Sequence, residues 1–253
     1  MSEERVYNPL DKEHLGESIV REFFKLQLHR LPPANSFTGA GIYALYYRGD
    51  FPLYRSVAQS LQKFTVKAQT QPTPIYIGKS DPPGSRKGLI EDDGGEGGDG
   101  EKKVSEVLTT KPRHRKLFDR LRQHAASISD TTNLKLEDFE CRYMLVDEIW
   151  VPLGEARLVA SFRPVWNVLI EGFGSKVEGG GRSTTARSVW DILHPGRKES
   201  LGIQVSQQLE AQIVSDLRGA STLEALRVAI KAHRDAKRAF AKERKRAKGQ
   251  DAA

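Results

Sequence analysis

The sequence has only one cysteine, Cys141, among its 253 residues. A single thiol excludes an internal disulfide framework and a cysteine-based zinc site, and it is compatible with a reducing cytoplasm. Apolar runs of membrane-spanning length are also missing, and the first residues, MSEERVYNPL, lack the pattern of a signal peptide. We therefore expect a soluble, cytoplasmic protein with no membrane partner.

An excess of positive charge is missing from most of the chain, although the formal net charge is +7. Residues 231–248 contain nine Lys or Arg and two acidic residues, which accounts for the whole excess. The remainder is formally neutral, so any DNA-binding surface there depends on how its charges are arranged in space. The basic stretch itself fits either a solubilising helical tail or a segment that binds phosphates non-specifically.

Glycine-rich polar segments interrupt the chain and indicate how it is divided. The stretch EDDGGEGGDGE at 91–101 has five glycines and no apolar residue, which is typical of a mobile linker. It does not match a phosphate-binding loop, because Gly100 is followed by Glu101 instead of lysine. A carboxylate-rich metal site is the alternative interpretation. The predicted regions are an N-terminal helical segment at 1–36, a core at 37–175 and a C-terminal extension at 176–253.

Hydrophobic periodicity predicts an α/β (α+β) chain. Strands are predicted at 39–47, 74–79 and 139–147. Helices are predicted at 10–28, 54–64, 117–128 and 150–162, with two further helical stretches that begin at about Gln204 and Thr222.

Two of the predicted strands carry related triplets. Gly41-Ile42-Tyr43 lies within GAGIYALYY, and Tyr76-Ile77-Gly78 lies within PIYIGK. If these strands pair in one sheet, Tyr43 and Tyr76 come to neighbouring places on it. A buried phenol hydroxyl needs a hydrogen-bond partner, so these tyrosines are candidates for more than core packing.

Arg120 and His124 stand four residues apart on a predicted helix, so they share one face at about 5–6 Å between Cβ atoms. A solvated basic face is the alternative interpretation, because Lys116 and Arg122 are close in sequence.

Glu155 lies one turn into an otherwise apolar predicted helix. It either favours the helix N-terminus electrostatically or holds a divalent cation together with waters and phosphate. Asn167 follows that helix, where it could orient Glu155 or satisfy backbone groups.

The order GIY, YIG, Arg-x-x-x-His, Glu, Asn resembles the GIY-YIG nuclease domain across about residues 37–170. The resemblance implies a small three-stranded antiparallel sheet flanked by helices, with the catalytic residues gathered on one face. In this chain the domain would have an N-terminal helix and a C-terminal helical extension.

The resemblance also implies hydrolysis of a phosphodiester with a hard divalent cation, Mg²⁺ or another such as Mn²⁺. The implied roles are water activation by Tyr43, site ordering by Tyr76, charge stabilisation by Arg120, proton relay by His124, metal binding by Glu155 and support by Asn167. An unperturbed tyrosine has a pKa of about 10, so a tyrosine base needs neighbouring positive charge to favour the phenolate.

The block SVWDILHPGR at 188–197 is similar to a feature of the type II restriction branch, and more closely to the SacII-like enzymes that cut CCGCGG. That resemblance implies a homodimer on palindromic double-stranded DNA, in a prokaryotic cell with a cognate DNA methyltransferase. The alternative is a packed turn in which Trp190 and Leu193 are buried and Pro195-Gly196 form the bend. Candidate DNA contacts in predicted loops are Arg86, Lys87, Arg182, Arg187 and Arg197.

Two other functions remain as alternatives. One is a GIY-YIG nuclease of DNA repair or mobile elements, and the other is a non-catalytic DNA-binding module on the same scaffold. The intact set of motif residues argues against the second.

Overall fold

A computed structural model describes residues 11–63, 70–80, 114–170, 172–173, 188–197, 211–212, 215–216, 219 and 222–250. The strands are β1 (His29–Arg30), β2 (Gly41–Tyr47), β3 (Leu61–Lys63), β4 (Thr70–Pro72), β5 (Tyr76–Ser80) and β6 (Phe139–Leu145). The helices are α1 (Lys12–Phe23), α2 (Arg55–Ala58), α3 (Lys116–Ser129), α4 (Val151–Phe162), α5 (Val165–Val168), α6 (Val189–Leu193) and α7 (Leu223–Gln250). No helix among these residues is both long and apolar enough to cross a membrane.

The main sheet has four strands in the order β1-β6-β2-β5, so the predicted count of three strands was wrong. The extra strand is β1, whose His29 pairs with Cys141 in an antiparallel register. Two residues are too few to show an alternating apolar pattern, so periodicity could not detect this strand. The three predicted strands are β2, β5 and β6.

Strands β2 and β6 also run in opposite directions. The Val146 amide donates to the Ala40 carbonyl at 3.3 Å. Further along, the Arg48 amide donates to the Asp138 carbonyl at 2.8 Å. Partner numbers fall on one strand as they rise on the other, which is the pattern of an antiparallel pair.

The region predicted as one helix at 54–64 is helical only in its first part. A 3₁₀ turn at Pro52–Tyr54 leads into the single turn of α2, and β3 then pairs antiparallel with β4. The second half of the prediction was wrong, because antiparallel pairing with β4, a few residues further along the chain, determines its structure.

The described residues at 11–45, 77–80, 114–123 and 140–162 belong to one compact unit. In this unit α1 packs against α4, and the rings of Phe24 and Phe162 lie 4.9 Å apart. Helix α4 also lies close against β2, because a methyl group on Gly154 would collide with Ile42 Cδ1. The predicted N-terminal helix at 10–28 is confirmed as α1, which ends at Phe23.

The second compact unit comprises the remaining described residues, and its core is rich in aromatic rings. Trp166 and Trp190 are fully buried, with ring centroids 5.7 Å apart. The block at 188–197 forms α6 and a tight bend at Gly196, whose φ is 131°. Trp190 and Leu193 are buried, so the interpretation of this block as a packed turn is confirmed.

Helix α7 confirms the helical stretch predicted from about Thr222. Thr222 caps its first turn, because its hydroxyl accepts from the Ala225 amide at 3.1 Å. Its buried residues, Leu226, Ala229, Ile230 and His233, recur at helical spacing. The predicted stretch from Gln204 falls mostly outside the described residues.

A chain of hydrogen bonds in the second unit joins the exposed Asn133 to the buried His194 and Tyr54. Asn133 Nδ2 donates to the Leu193 carbonyl at 2.8 Å, so its Oδ1 faces His194 Nδ1 at 3.0 Å. That nitrogen therefore carries the proton, and His194 Nε2 accepts from the Tyr54 hydroxyl at 2.6 Å. Burial lowers the pKa of His194 to about 3. The imidazole is thus neutral and fully hydrogen-bonded.

This arrangement predicts acid sensitivity. In the unfolded chain His194 has a pKa near 6.5, so unfolding takes up a proton between about pH 6.5 and pH 3. As the pH falls through this window, the free energy of unfolding should therefore decrease. The contribution of this group is at most about 1.4 kcal/mol per pH unit. Denaturant unfolding of the wild type and His194→Gln at several pH values measures the difference in slope. An NMR titration that shows folded His194 protonating near pH 6.5 would contradict the prediction.

Candidate active site

The tyrosine of the GIY triplet is held by the glycine of the YIG triplet. Tyr43 is fully buried on β2. Its phenol lies against Gly78 on the neighbouring strand β5, where a methyl group would collide with Tyr43 Oη. Gly41 has a similar role, because a methyl group there would collide with the carbonyl oxygen of Met144 on β6. The glycines of both triplets are therefore required by close strand contacts.

Helix α3 carries Arg120 and begins against the chain just before β2. The Gly39 amide donates to the His114 carbonyl at 2.8 Å, and the Leu117 amide donates to the Gly39 carbonyl at 3.4 Å. Gly39 has a φ of 129°, a conformation that favours glycine. These bonds fix the start of the helix, and the Arg120 side chain one turn later is half-buried.

His124 lies one turn further along α3 and packs among aromatic rings. It is only 4% exposed. Its ring centroid lies 5.6 Å from that of Tyr76 at an interplanar angle of 70°. The Phe173 ring is closer, at 4.3 Å, and it also contacts Tyr76 at 5.8 Å. The structure thus brings the rings of Tyr76 and His124 together, and the ring of Phe173 contacts both of them.

Asn167 is placed by helix α5 beside the start of β5. The Trp166 amide donates to the Ile75 carbonyl at 3.0 Å, which joins α5 to the residue before Tyr76. The Gly172 amide then donates to the Trp166 carbonyl at 2.8 Å and closes the turn that leads to Phe173. Asn167 itself is half-buried.

Glu155 on α4 forms an ion pair with Lys79, the residue after the YIG triplet. Glu155 Oε2 and Lys79 Nζ are 3.6 Å apart, and the side chains are 28% and 31% exposed. A partly exposed carboxylate fits a Mg²⁺-type site that is completed by waters and phosphate oxygens. No cluster of three or more potential metal-ligating side chains occurs among the described residues. Glu155 therefore fits a one-carboxylate site better than a closed cage.

The contacts described above are assigned to the two compact units as follows. In the first unit are Tyr43 with Gly78, Arg120, and Glu155 with Lys79. In the second unit are Tyr76 and His124 with Phe173, and Asn167.

A comparison with known families identifies the domain. The family model described as the Eco29kI GIY-YIG domain matches residues 35–220, which is more than half of the chain. The chain belongs to this family. It is a family of type II restriction endonucleases, and GIY-YIG nucleases generally depend on a divalent metal. None of the curated proteins compared with the chain matches it.

The predicted DNA contacts of this GIY-YIG domain are largely untested by the structure. Arg86, Lys87, Arg182 and Arg187 lie outside the described residues. Arg197 is described, and its side chain is only 3% exposed. Its Nη1 lies 3.2 Å from Asp191 Oδ1, and its guanidinium lies 5.5 Å from the centre of the Trp190 ring. Arg197 thus has a structural role in the core, and its position does not support direct base contact.

The sequence patterns did not predict two residues that contact the candidate site residues, Lys79 and Phe173. Lys79 directly follows the YIG triplet, and that adjacency was the available signal for it. Phe173 gave no such signal, because its contacts with His124 and Tyr76 depend on the turn that closes at Gly172.

Substitution of Gly78 by alanine tests the contact with Tyr43. The added methyl group should displace the Tyr43 phenol, since Tyr43 is buried and the methyl carbon would overlap its hydroxyl. We expect a cost of about 1–3 kcal/mol in stability from overpacking. We also expect a loss of about 100-fold in single-turnover DNA cleavage, because the reacting group is misplaced.

Gly219→Ala is the matched control, because no atom lies within 4 Å of the added methyl group. Cleavage should be unchanged in this control, and the unfolding temperature should be equal to or slightly above that of the wild type, because alanine favours a helix more than glycine does. Full cleavage by Gly78→Ala would show that the position of the Tyr43 hydroxyl has no role in the reaction.

Proposed function

We propose that this protein is a type II restriction endonuclease that hydrolyses both strands of duplex DNA at a palindromic site, with CCGCGG as the candidate site that the resemblance to the SacII-like enzymes implies. The observation that carries the proposal is the family match, which spans every motif residue from Tyr43 to Asn167. The contacts around these residues support the assignment of roles.

Arg120 is proposed to stabilise the charge that develops on the phosphoryl oxygens. A guanidinium offers fixed donors in a planar fork that matches phosphate geometry. Its half-buried position on α3 reduces screening by water and leaves the group accessible to a phosphate.

Tyr43 is proposed to accept the proton of the attacking water. Its contact with Gly78 holds the hydroxyl in one place, as a general base requires. Relay of that proton through His124 remains part of the proposal. The close packing of His124 with Tyr76 supports a second role, in which the imidazole keeps the Tyr76 phenol in its orientation.

Glu155 is proposed to hold Mg²⁺ or Mn²⁺, with water and phosphate oxygens as the other ligands. Such a cation supplies Lewis acidity at a phosphoryl oxygen and favours departure of the leaving oxygen. Lys79 keeps the carboxylate on the side of α4 that faces β5. Asn167 is proposed to support the site from α5.

A palindromic target favours a homodimer, because a two-fold protein presents the same reading surface to each half-site. Restriction within a cell also needs protection of the host DNA, so we propose a cognate methyltransferase as the functional partner.

Digestion of a mixed-sequence plasmid tests the proposed reaction. With Mg²⁺ the wild type should give discrete fragments, and sequencing of the ends should give the site. Glu155→Gln should lose cleavage by at least about 100-fold, because the neutral amide binds a divalent cation poorly. Glu22→Gln is the control, since Glu22 forms an exposed ion pair with Lys25.

The pattern of products separates the alternatives. Random degradation or a preference for branched substrates would indicate a repair or mobile-element nuclease. Binding without cleavage by the wild type would indicate a non-catalytic module. Equal cleavage by Glu155→Gln and the wild type would remove Glu155 from the reaction.

Tyr43→Phe separates hydrolysis from DNA binding. Loss of the hydroxyl should reduce single-turnover cleavage by about 100-fold or more, whereas the affinity for duplex DNA should stay the same. Tyr143→Phe provides the control, because its ring stacks on Phe37 at 4.2 Å and keeps that contact without the hydroxyl. Undiminished cleavage by Tyr43→Phe would refute its role as the base.

A further inference from the structure

An open cleft in the second unit is lined by side chains of both charges. Its volume is about 440 Å³, which lies within the range of about 300–1,000 Å³ typical of ligand sites. None of its residues belongs to the set assigned to hydrolysis. We call it the mixed-charge cleft, and its charged residues are Arg48, Asp50, Arg55, Lys135 and Asp138.

The backbone around the mixed-charge cleft is firmly held. Arg48 directly follows β2, and its amide donates to the carbonyl of Asp138, which directly precedes β6, at 2.8 Å. A methyl group on Gly49 would collide with Asp138 Oδ2 and with the Tyr47 hydroxyl, so the carboxylate lies against the backbone of this turn. The Phe51 amide donates to that same hydroxyl at 2.9 Å. The backbone from which Arg48 and Asp138 project is therefore held in place by hydrogen bonds.

The charged groups of the cleft differ in their exposure to solvent. Arg48, Asp50, Arg55 and Lys135 are exposed, whereas Asp138 is half-buried. Arg55 Nη2 donates to the Asp50 carbonyl at 3.5 Å, and both residues line the cleft. Burial raises the pKa of Asp138, and the nearby Lys135 opposes that effect.

We propose that the mixed-charge cleft reads G·C base pairs of the DNA target, an inference that rests on the proposed function. Guanine presents two acceptors, O6 and N7, to a guanidinium, and cytosine presents its N4 amino group to a carboxylate. Arg48 and Arg55 supply the first kind of group, and Asp50 supplies the second. A surface that bound phosphates alone would be weakened by carboxylates, because like charges repel.

Asp138 has a positioning role in this proposal, since its carboxylate lies against the turn at Gly49. Lys135 is suited to an adjacent phosphate, because an ammonium is a compact point charge. The cleft thus combines base readers with a phosphate contact that sets their register.

Selection from random DNA tests the proposal without any need for cleavage. The full-length protein, in the absence of divalent metal, is mixed with duplexes whose central base pairs are randomised, and the bound duplexes are sequenced. The wild type should enrich a G·C-containing sequence. We expect about a 10-fold reduction in the preference for a G·C pair at one position of each half-site in each of three variants, Arg48→Ala, Arg55→Ala and Asp50→Asn.

Arg21→Ala is the matched control, because it removes an exposed arginine from α1. It should keep the wild-type preference, and thermal unfolding should confirm that every variant is folded. Three results would overturn the proposal: an unchanged preference in all cleft variants, a wild type without sequence preference, or a uniform loss of affinity with a shallower salt dependence. The last result is that of a phosphate contact.

The proposed nuclease function and the proposed role of the cleft can be refuted independently of each other. Sequence-selective binding by a wild type that cuts no plasmid would leave the cleft assignment intact and refute the nuclease function. Site-specific cleavage that is accompanied by an unchanged preference in the cleft variants would refute the cleft assignment alone.

Discussion

The close contact between the Tyr43 phenol and Gly78 constrains the rest of the candidate site. Strands β2 and β5 can be neighbours around a buried tyrosine only if the facing position lacks a side chain. Lys79 follows Gly78 on the same strand, so the contact also fixes where the partner of Glu155 lies. The two triplets are therefore parts of one packing arrangement, in which a glycine on one strand makes room for a functional group on another.

Two buried residues of the second unit, His194 and Arg197, show that residue types common in active sites can also have a structural role in the core. His194 is a buried neutral imidazole whose two nitrogens are both satisfied, and Arg197 is a buried cation paired with Asp191. Either residue could have been assigned to catalysis or DNA binding from the sequence alone. Their burial and their partners instead indicate roles in specifying one packed arrangement around Trp190.

Local patterns in the sequence predicted the elements that have strong periodicity or a motif. Strands β2, β5 and β6 and helices α3 and α4 lie where those patterns placed them. The strands that the patterns did not predict were β1, β3 and β4, which have two or three residues each and depend on pairing with another strand. In the candidate site, too, local patterns predicted some residues and missed others whose contacts depend on the fold. Tyr76 and His124 were predicted as functional residues, whereas the contact of both with Phe173 depends on a turn that no local pattern encodes.

Strand β1 occupies one edge of the main sheet and is only two residues long. A longer edge would present a row of unsatisfied amides and carbonyls, on which another chain could add a strand. Such a short strand offers little template for that kind of growth. Continuing the main sheet through β1 is therefore a poor route for self-association of the folded protein.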